Sequence, residues 1–179
     1  EVLDIEGKGI GTGVDVAING MVFEGVATPA PESEALRDLA LHYDRMSIGN
    51  VQVMINGDTL ARFDDIHASG EWKGDERLSF AAGIRAFSIF TAEMPWLLQL
   101  GYQSLSGSAS MSGNWSVADG RLSMKAGLDV VQAFSIENEF ELSGYTRDLY
   151  AMATRPGASA ERVAMSLTGL SIDSGRGSF

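Results

Sequence analysis

The sequence predicts a mainly β protein: an elongated antiparallel meander, or an open curved sheet or sandwich, with one short amphipathic helix. Three observations carry this. Phe134, Ile136, Phe140 and Leu142 alternate with Ser135, Glu137, Glu139, Glu141 and Ser143, the period of a strand with one dry face and one wet one. Asp119-Gly120 lies between Trp115 and Val117 on one side and Leu122 and Met124 on the other. That dipeptide supplies positive φ at low steric cost and so predicts a hairpin. Finally, Val14-x-Val16-x-Ile18-Asn19-Gly20 recurs as Val51-x-Val53-x-Ile55-Asn56-Gly57. Each copy reads as a strand running into an Asn-Gly turn, then a returning strand (Met21–Val26 and Thr59–Ala68). Repetition of such a unit predicts a sheet that grows sideways.

Composition sets the frame. At 179 residues, 45% hydrophobic and 21% charged, the chain reads as one β domain over 1–179 with enough apolar content for a core. It begins at Glu1 and ends at Gly177-Ser178-Phe179, which reads as a piece of a longer chain whose targeting segment is missing. A net charge of -11, from 13 basic and 24 acidic residues, disfavours nucleic acid and anionic membrane surfaces as partners. With no cysteine, disulfides, thiolate zinc sites and thiol chemistry are excluded.

The elements follow in order. GKGIGTG places glycines at 7, 9, 11 and 13, without the Lys-Ser/Thr end of a phosphate loop or dinucleotide spacing. It reads as a strand with one bare face that another backbone approaches closely, while Ile10, Thr12, Val14, Val16 and Ile18 occupy the other. Residues 33–44 are ambiguous. Leu36, Leu39, Ala40 and Tyr43 have helical spacing behind a Ser33 cap, but Leu39, Leu41 and Tyr43 also alternate as a strand. Met46, Ile48, Val51 and Val53 continue a sheet signal, which inclines the segment to strand, with bulges where parity skips at Asp44-Arg45 and Gly49-Asn50. GEWKGDER, residues 70–77, reads as a polar turn. Leu78, Phe80, Ala82, Ile84 and Ala86 then alternate, and Phe87 and Ile89 shift parity. Thr91 and Pro95 mark a helix start, followed by the short apolar helix Pro95–Leu100. Gly101–Thr146 reads as three long strands, with the second bend at Gly127–Gln132 and Asn138 the one polar residue on the inner face. RPGASAER is a loop before a last strand through Val163, Met165, Leu167, Leu170 and Ile172.

No constellation assembles an active site. Asp64, Asp65, His67 and Glu71 contain metal-ligand residue types, but strand parity turns Asp64 away from Asp65 and His67, and His42 is isolated. The serines of SGSASMSG read as a wet strand face, with no nucleophile elbow. The carboxylates show no pairing that calls for acid–base work. The expectation is no catalytic residue, no metal and no cofactor. The apolar helix is the functional lead. Trp96, Leu97, Leu98 and Leu100, with Tyr102 beyond, exceed what one face of a two-turn helix normally buries. They read either as a plug over the core or as a lid or lining of an apolar groove that holds acyl chains or docks on a bilayer. Trp115 contributes to that groove from the sheet, and the methionines add soft apolar surface.

Leu100-Gly101-Tyr102-x-x-Leu105, Asp119-Gly120-x-Leu122 and Phe140-x-Leu142-Ser143-Gly144 resemble patterns of uncharacterised exported proteobacterial proteins with repeated β-units, akin to the AsmA-like and YdgA-like envelope proteins. The resemblance implies a periplasmic or cell-envelope location, an elongated sheet with a hydrophobic concave face, and a role in lipid handling or envelope maintenance. It brings no catalytic residues. The expected function is therefore a non-enzymatic envelope protein that binds lipid or another hydrophobic ligand. The alternative is a structural or adaptor module that pairs with a protein partner, or with itself, through its sheet edges.

Overall fold

The computed structural model describes residues 3–8, 13–27, 43–74, 76–90, 95–149 and 171–178. They form nine strands in one open antiparallel sheet whose spatial order is the chain order. The strands are β1 (Leu3–Lys8), β2 (Val14–Glu24), β3 (Arg45–Ile55), β4 (Asp58–Lys73) and β5 (Arg77–Phe90), then β6 (Ser104–Ser116), β7 (Arg121–Val130), β8 (Phe134–Ser143) and β9 (Ser171–Ser178). One helix, α1 (Pro95–Gln99), lies between β5 and β6.

The register sorts the side chains. Residues opposite one another point to the same face, so the pairings trace rows across the sheet. One row runs Trp72, Leu78, Trp115, Leu122 and Leu142; another runs Ile48, Ile66, Ile84, Ala109, Leu128 and Ile136. A third runs Ile18, Val51, Phe63, Phe87, Gly107, Val130 and Phe134. One face is thus apolar almost throughout, and the buried strand residues Ile48, Ala61, Phe87, Trp115, Leu122 and Val130 all lie on it. The other face is polar: β6 presents Ser104, Ser106, Ser108, Ser110, Ser112, Asn114 and Ser116 there.

Two glycines on β6 show how the apolar face closes over gaps. Gly107 lies opposite Phe87 and Gly113 opposite Phe80. A Cβ on Gly113 would meet the Phe80 ring at 2.5 Å, and one on Gly107 would meet the Phe87 ring at 2.9 Å. Each aromatic ring covers a position where the neighbouring strand has no side chain.

A shared kink crosses the sheet. Ile18 and Met21, Ile48 and Val51, Phe63 and Ile66, and Ile84 and Phe87 lie in the same two adjacent rows although two residues, rather than one, lie between the members of each pair. β2 to β5 therefore each carry one extra residue at the same level. The insertion is absorbed as a bulge against β1 and another against β6, where the register shifts at Leu3/Ile5 and Ile84/Phe87. The parity skip at Gly49-Asn50 belongs to this row. It does not misalign β3, because its neighbours skip in step.

Other expectations need correction. Asn19-Gly20 is no turn. Gly20 takes φ +69° inside the continuous strand β2, within the kink, whereas Asn56-Gly57 does turn, with φ +52° and +90°. The repeated motif thus encodes positive φ in both places, and strand pairing decides whether the chain reverses. Gly13, at φ +64°, ends the glycine run ahead of β2; Gly9 and Gly11 lie outside the described residues. β4 continues to Lys73 and β5 starts at Arg77, so strand takes up much of the expected polar turn, of which Gly74 and Glu76 are described as turn residues. The Asp119-Gly120 loop spans Val117–Gly120, with positive φ at Gly120 alone, and the next turn is Val131–Ala133. Most of the 33–44 segment, Thr91 and residues 155–170 lie outside the described residues. The last strand extends past Ile172 to Ser178.

Candidate functional site

The apolar face is filled unevenly. At its β6–β7 turn end, Trp115 is 2% exposed and packs with Leu122 against Trp72, Leu78, Met124, Leu142 and Tyr145. The Trp72 and Tyr145 rings meet Trp115 edge-on at 5.9 and 5.1 Å, the arrangement that ring quadrupoles favour. Trp115 Nε1 donates to the Tyr145 carbonyl at 2.7 Å. The chain after β8 is thereby fastened over the sheet, and Tyr145 N–H donates to Gly120 O at 2.9 Å. Burial pushes the Tyr145 phenol above its ordinary pKa.

Two rows further along, the filling stops. Met46, Ala68, Ala82, Met111 and Ala126 share a row, and three of them are alanines. Between this row and the row of Ile66, Ile84 and Ala109 runs an open groove of about 260 Å³ with an almost wholly apolar lining. Met46 and Met111 are its tallest side chains, and flexible thioethers can re-pack around an elongated apolar guest. The sheet thus presents a shallow, open, small-residue trough between taller side chains.

The residues singled out from sequence fall in two places. Leu97 is buried at 5% exposure, whereas Leu100 is 66% exposed. Tyr102 is half-buried, and its N–H donates to Leu97 O at 3.0 Å, which ties the end of α1 back on itself. Trp96 belongs to α1, and its side chain lies outside the described residues. Trp115 is at the far end of β6 from α1, enclosed in the packed core. Leu97, Leu100 and Tyr102 are therefore brought together, and Trp115 is not with them. The groove residues Met46, Ala68, Ala82 and Met111 were missed, because a floor built from single alanines on successive strands appears only once the register is known.

The charged groups sit on the polar face. Arg62 and Asp64 share that face by ordinary strand parity, and the kink puts Asp64 on the same face as Asp65 and His67, which corrects the expectation that Asp64 points away from them. Arg62 Nε donates to Asp64 at 3.0 Å and Asn50 Nδ2 at 2.8 Å. Partial burial works against ionisation of Asp64, but these hydrogen bonds and the Arg62 charge outweigh it and hold the carboxyl below its ordinary pKa. Asp65, at φ +52° in the kink, pairs with Arg85 at 3.1 Å. Among the described residues, no group of three or more Asp, Glu, His or Cys side chains is placed to hold a metal ion. A second cleft, of about 380 Å³, has a mixed lining: Lys73, Arg77, Arg121, Asp119 and Glu141 bring charges of both signs, and Leu78, Trp115, Leu122 and Leu142 make the larger part of it apolar.

No protein-family model, curated protein or solved structure matches this chain. Among the described residues, no helix is long and apolar enough to cross a membrane.

Proposed function

We propose that this chain is a non-enzymatic β-sheet protein that holds a lipid or another hydrophobic ligand on its apolar face, in a bacterial cell envelope. The observation that carries this reading is the groove floored by Ala68, Ala82 and Ala109 and flanked by Met46 and Met111. It lies between the row of Phe80 and Met124 and the row of Ile66, Ile84 and Leu128. A trough lined by flexible methionines and small alanines favours an unbranched acyl chain over a rigid polycycle. The envelope location rests on the resemblance of the strand-and-turn motifs to exported envelope proteins.

Native mass spectrometry of protein purified from a bacterial host, followed by lipid extraction, tests the reading. The expected result is co-purifying fatty acid or phospholipid that Ala82→Leu diminishes by filling the trough. A clean ligand-free mass, with no uptake of added fatty acid, would refute it.

A second reading has its own support: the sheet is open, so β1 and β9 each leave one edge unpaired with any described strand. Such edges accept an added strand from a partner or a second copy.

A further inference from the structure

We infer that the end of the sheet formed by α1 and the β7–β8 turn is a docking surface for a lipid bilayer with neutral, zwitterionic headgroups. This rests on the lipid-binding reading above and supplies the route by which a lipid reaches the groove.

Several observations converge. Leu98, Leu100, Val131, Phe134 and Phe90 are among the most exposed large apolar side chains, at 45%, 66%, 54%, 47% and 41%. All five lie at one end of the sheet. α1 joins the end of β5, after Phe90, to the start of β6, and the β7–β8 turn closes on that same part of β6 where Val131 N–H donates to Ser106 O at 2.8 Å.

The turn itself is unusual in its chemistry. Hairpin tips normally carry Gly, Asn, Asp or Ser; the β3–β4 and β6–β7 turns follow that rule with Asn56-Gly57 and Asp119-Gly120. The β7–β8 turn instead reads Val131-Gln132-Ala133, and a glutamine occupies the positive φ, at +58°. Apolar side chains at a tip that solvent would otherwise surround call for a partner medium.

Charge selects that medium. From Met94 to Ala118, the stretch holding α1 and all of β6, there is no Asp, Glu, Lys, Arg or His, in a chain of net charge -11. α1 and the Val131–Ala133 turn themselves carry no ionisable side chain and so enter the boundary between headgroups and acyl chains without desolvating an ion. The exposed Asp129, on the polar face, and Asp58, at the β3–β4 turn of the same end, remain at the level of the headgroups. The remaining acidic surface keeps the protein from anionic membranes. Phe134 also belongs to the apolar face, in register with Val130, Gly107 and Phe87. The exposed end is therefore continuous with the face that carries the groove.

Flotation of the full chain with phosphatidylcholine vesicles tests the assignment. Wild type is expected to float, to the same extent at low and high salt, because the contact is apolar. Leu100→Ser combined with Val131→Ser should lower the partition by about tenfold or more with an unchanged circular dichroism spectrum. Phe23→Ser, at the opposite end of the strands, should not. Absence of flotation by wild type, or equal flotation by the double variant, would overturn the assignment. So would a wild-type dimer in light scattering that the double variant converts to monomer while neither binds vesicles; the surface would then serve self-association. The two readings fail separately. Ala82→Leu should lose bound lipid and still float, whereas the double variant should lose flotation and still take up fatty acid from solution.

Discussion

Trp115 and Met111 stand on the same face of the same strand, four residues apart, and meet opposite fates: one is 2% exposed, the other 38%. The strand is equally regular at both, so the difference lies in what flanks and covers them. Trp115 has Leu78 and Leu122 as its register neighbours, with Trp72 and Tyr145 packed edge-on. Met111 has Ala82 and Ala126 as its neighbours. Large side chains packed in register, under a chain segment fixed by one indole hydrogen bond, make a core. Small ones at the same depth make a groove. One sheet therefore divides its apolar face into a part that is packed and a part that is left open to solvent.

That contrast can be broken experimentally. Trp115→Ala removes the largest fully buried side chain among the described residues and the donor to the Tyr145 carbonyl, and should cost about 3–5 kcal/mol in urea denaturation. Met111→Ala, on the same strand, should cost less than about 1 kcal/mol, since its side chain is already half in water. Equal losses would mean that the groove is as firmly packed as the core.

Gly113, between the two, sharpens the boundary. Gly113→Val places a side chain where the Phe80 ring lies, at 2.5 Å from the new Cβ, and against Ser123 O at 2.6 Å. Destabilisation of about 1–3 kcal/mol is expected. Pairing it with Phe80→Ala should recover part of that loss, as a double-mutant cycle by chemical denaturation would report. Strict additivity would show that the ring is not the obstacle.

The smallest effect belongs to the polar face. Asp64 is held below its ordinary pKa in the folded protein, so its contribution is present above the unfolded-state value of 3.8 and is lost as pH falls through the lower folded value. Because the Arg62 pair is partly exposed, the change should amount to a few tenths of a kcal/mol. Thermal unfolding measured from pH 5 down to pH 2 should show a shallower acid decline for Asp64→Asn than for wild type. Identical slopes would remove Asp64 from the acid response.

Much of the architecture was legible in the sequence because strand period and turn chemistry are local properties. The alternation in Phe134–Ser143, the Asn56-Gly57 turn and the short helix after Phe90 each depend on neighbours a few residues away. The parity skips at Gly49-Asn50 and before Phe87 were visible too, but not that β2 to β5 skip together. A single strand carries no record of its partner's register, and so Asn19-Gly20, identical in type to a turn, stays inside β2 as part of the kink. The candidate site was still less legible. A greasy helix announces itself by composition, which pointed to Leu97, Leu100 and Tyr102; a groove floored by Ala68, Ala82 and Ala109 does not, since each alanine is unremarkable on its own strand. Sequence alone determined the β class, the polar and apolar faces and the uncharged run through α1 and β6. Only the tertiary structure decided that Trp115 is core and that the trough beside Met111 is open, because side-chain rows across a sheet arise from hydrogen-bonded pairing between residues distant in the chain.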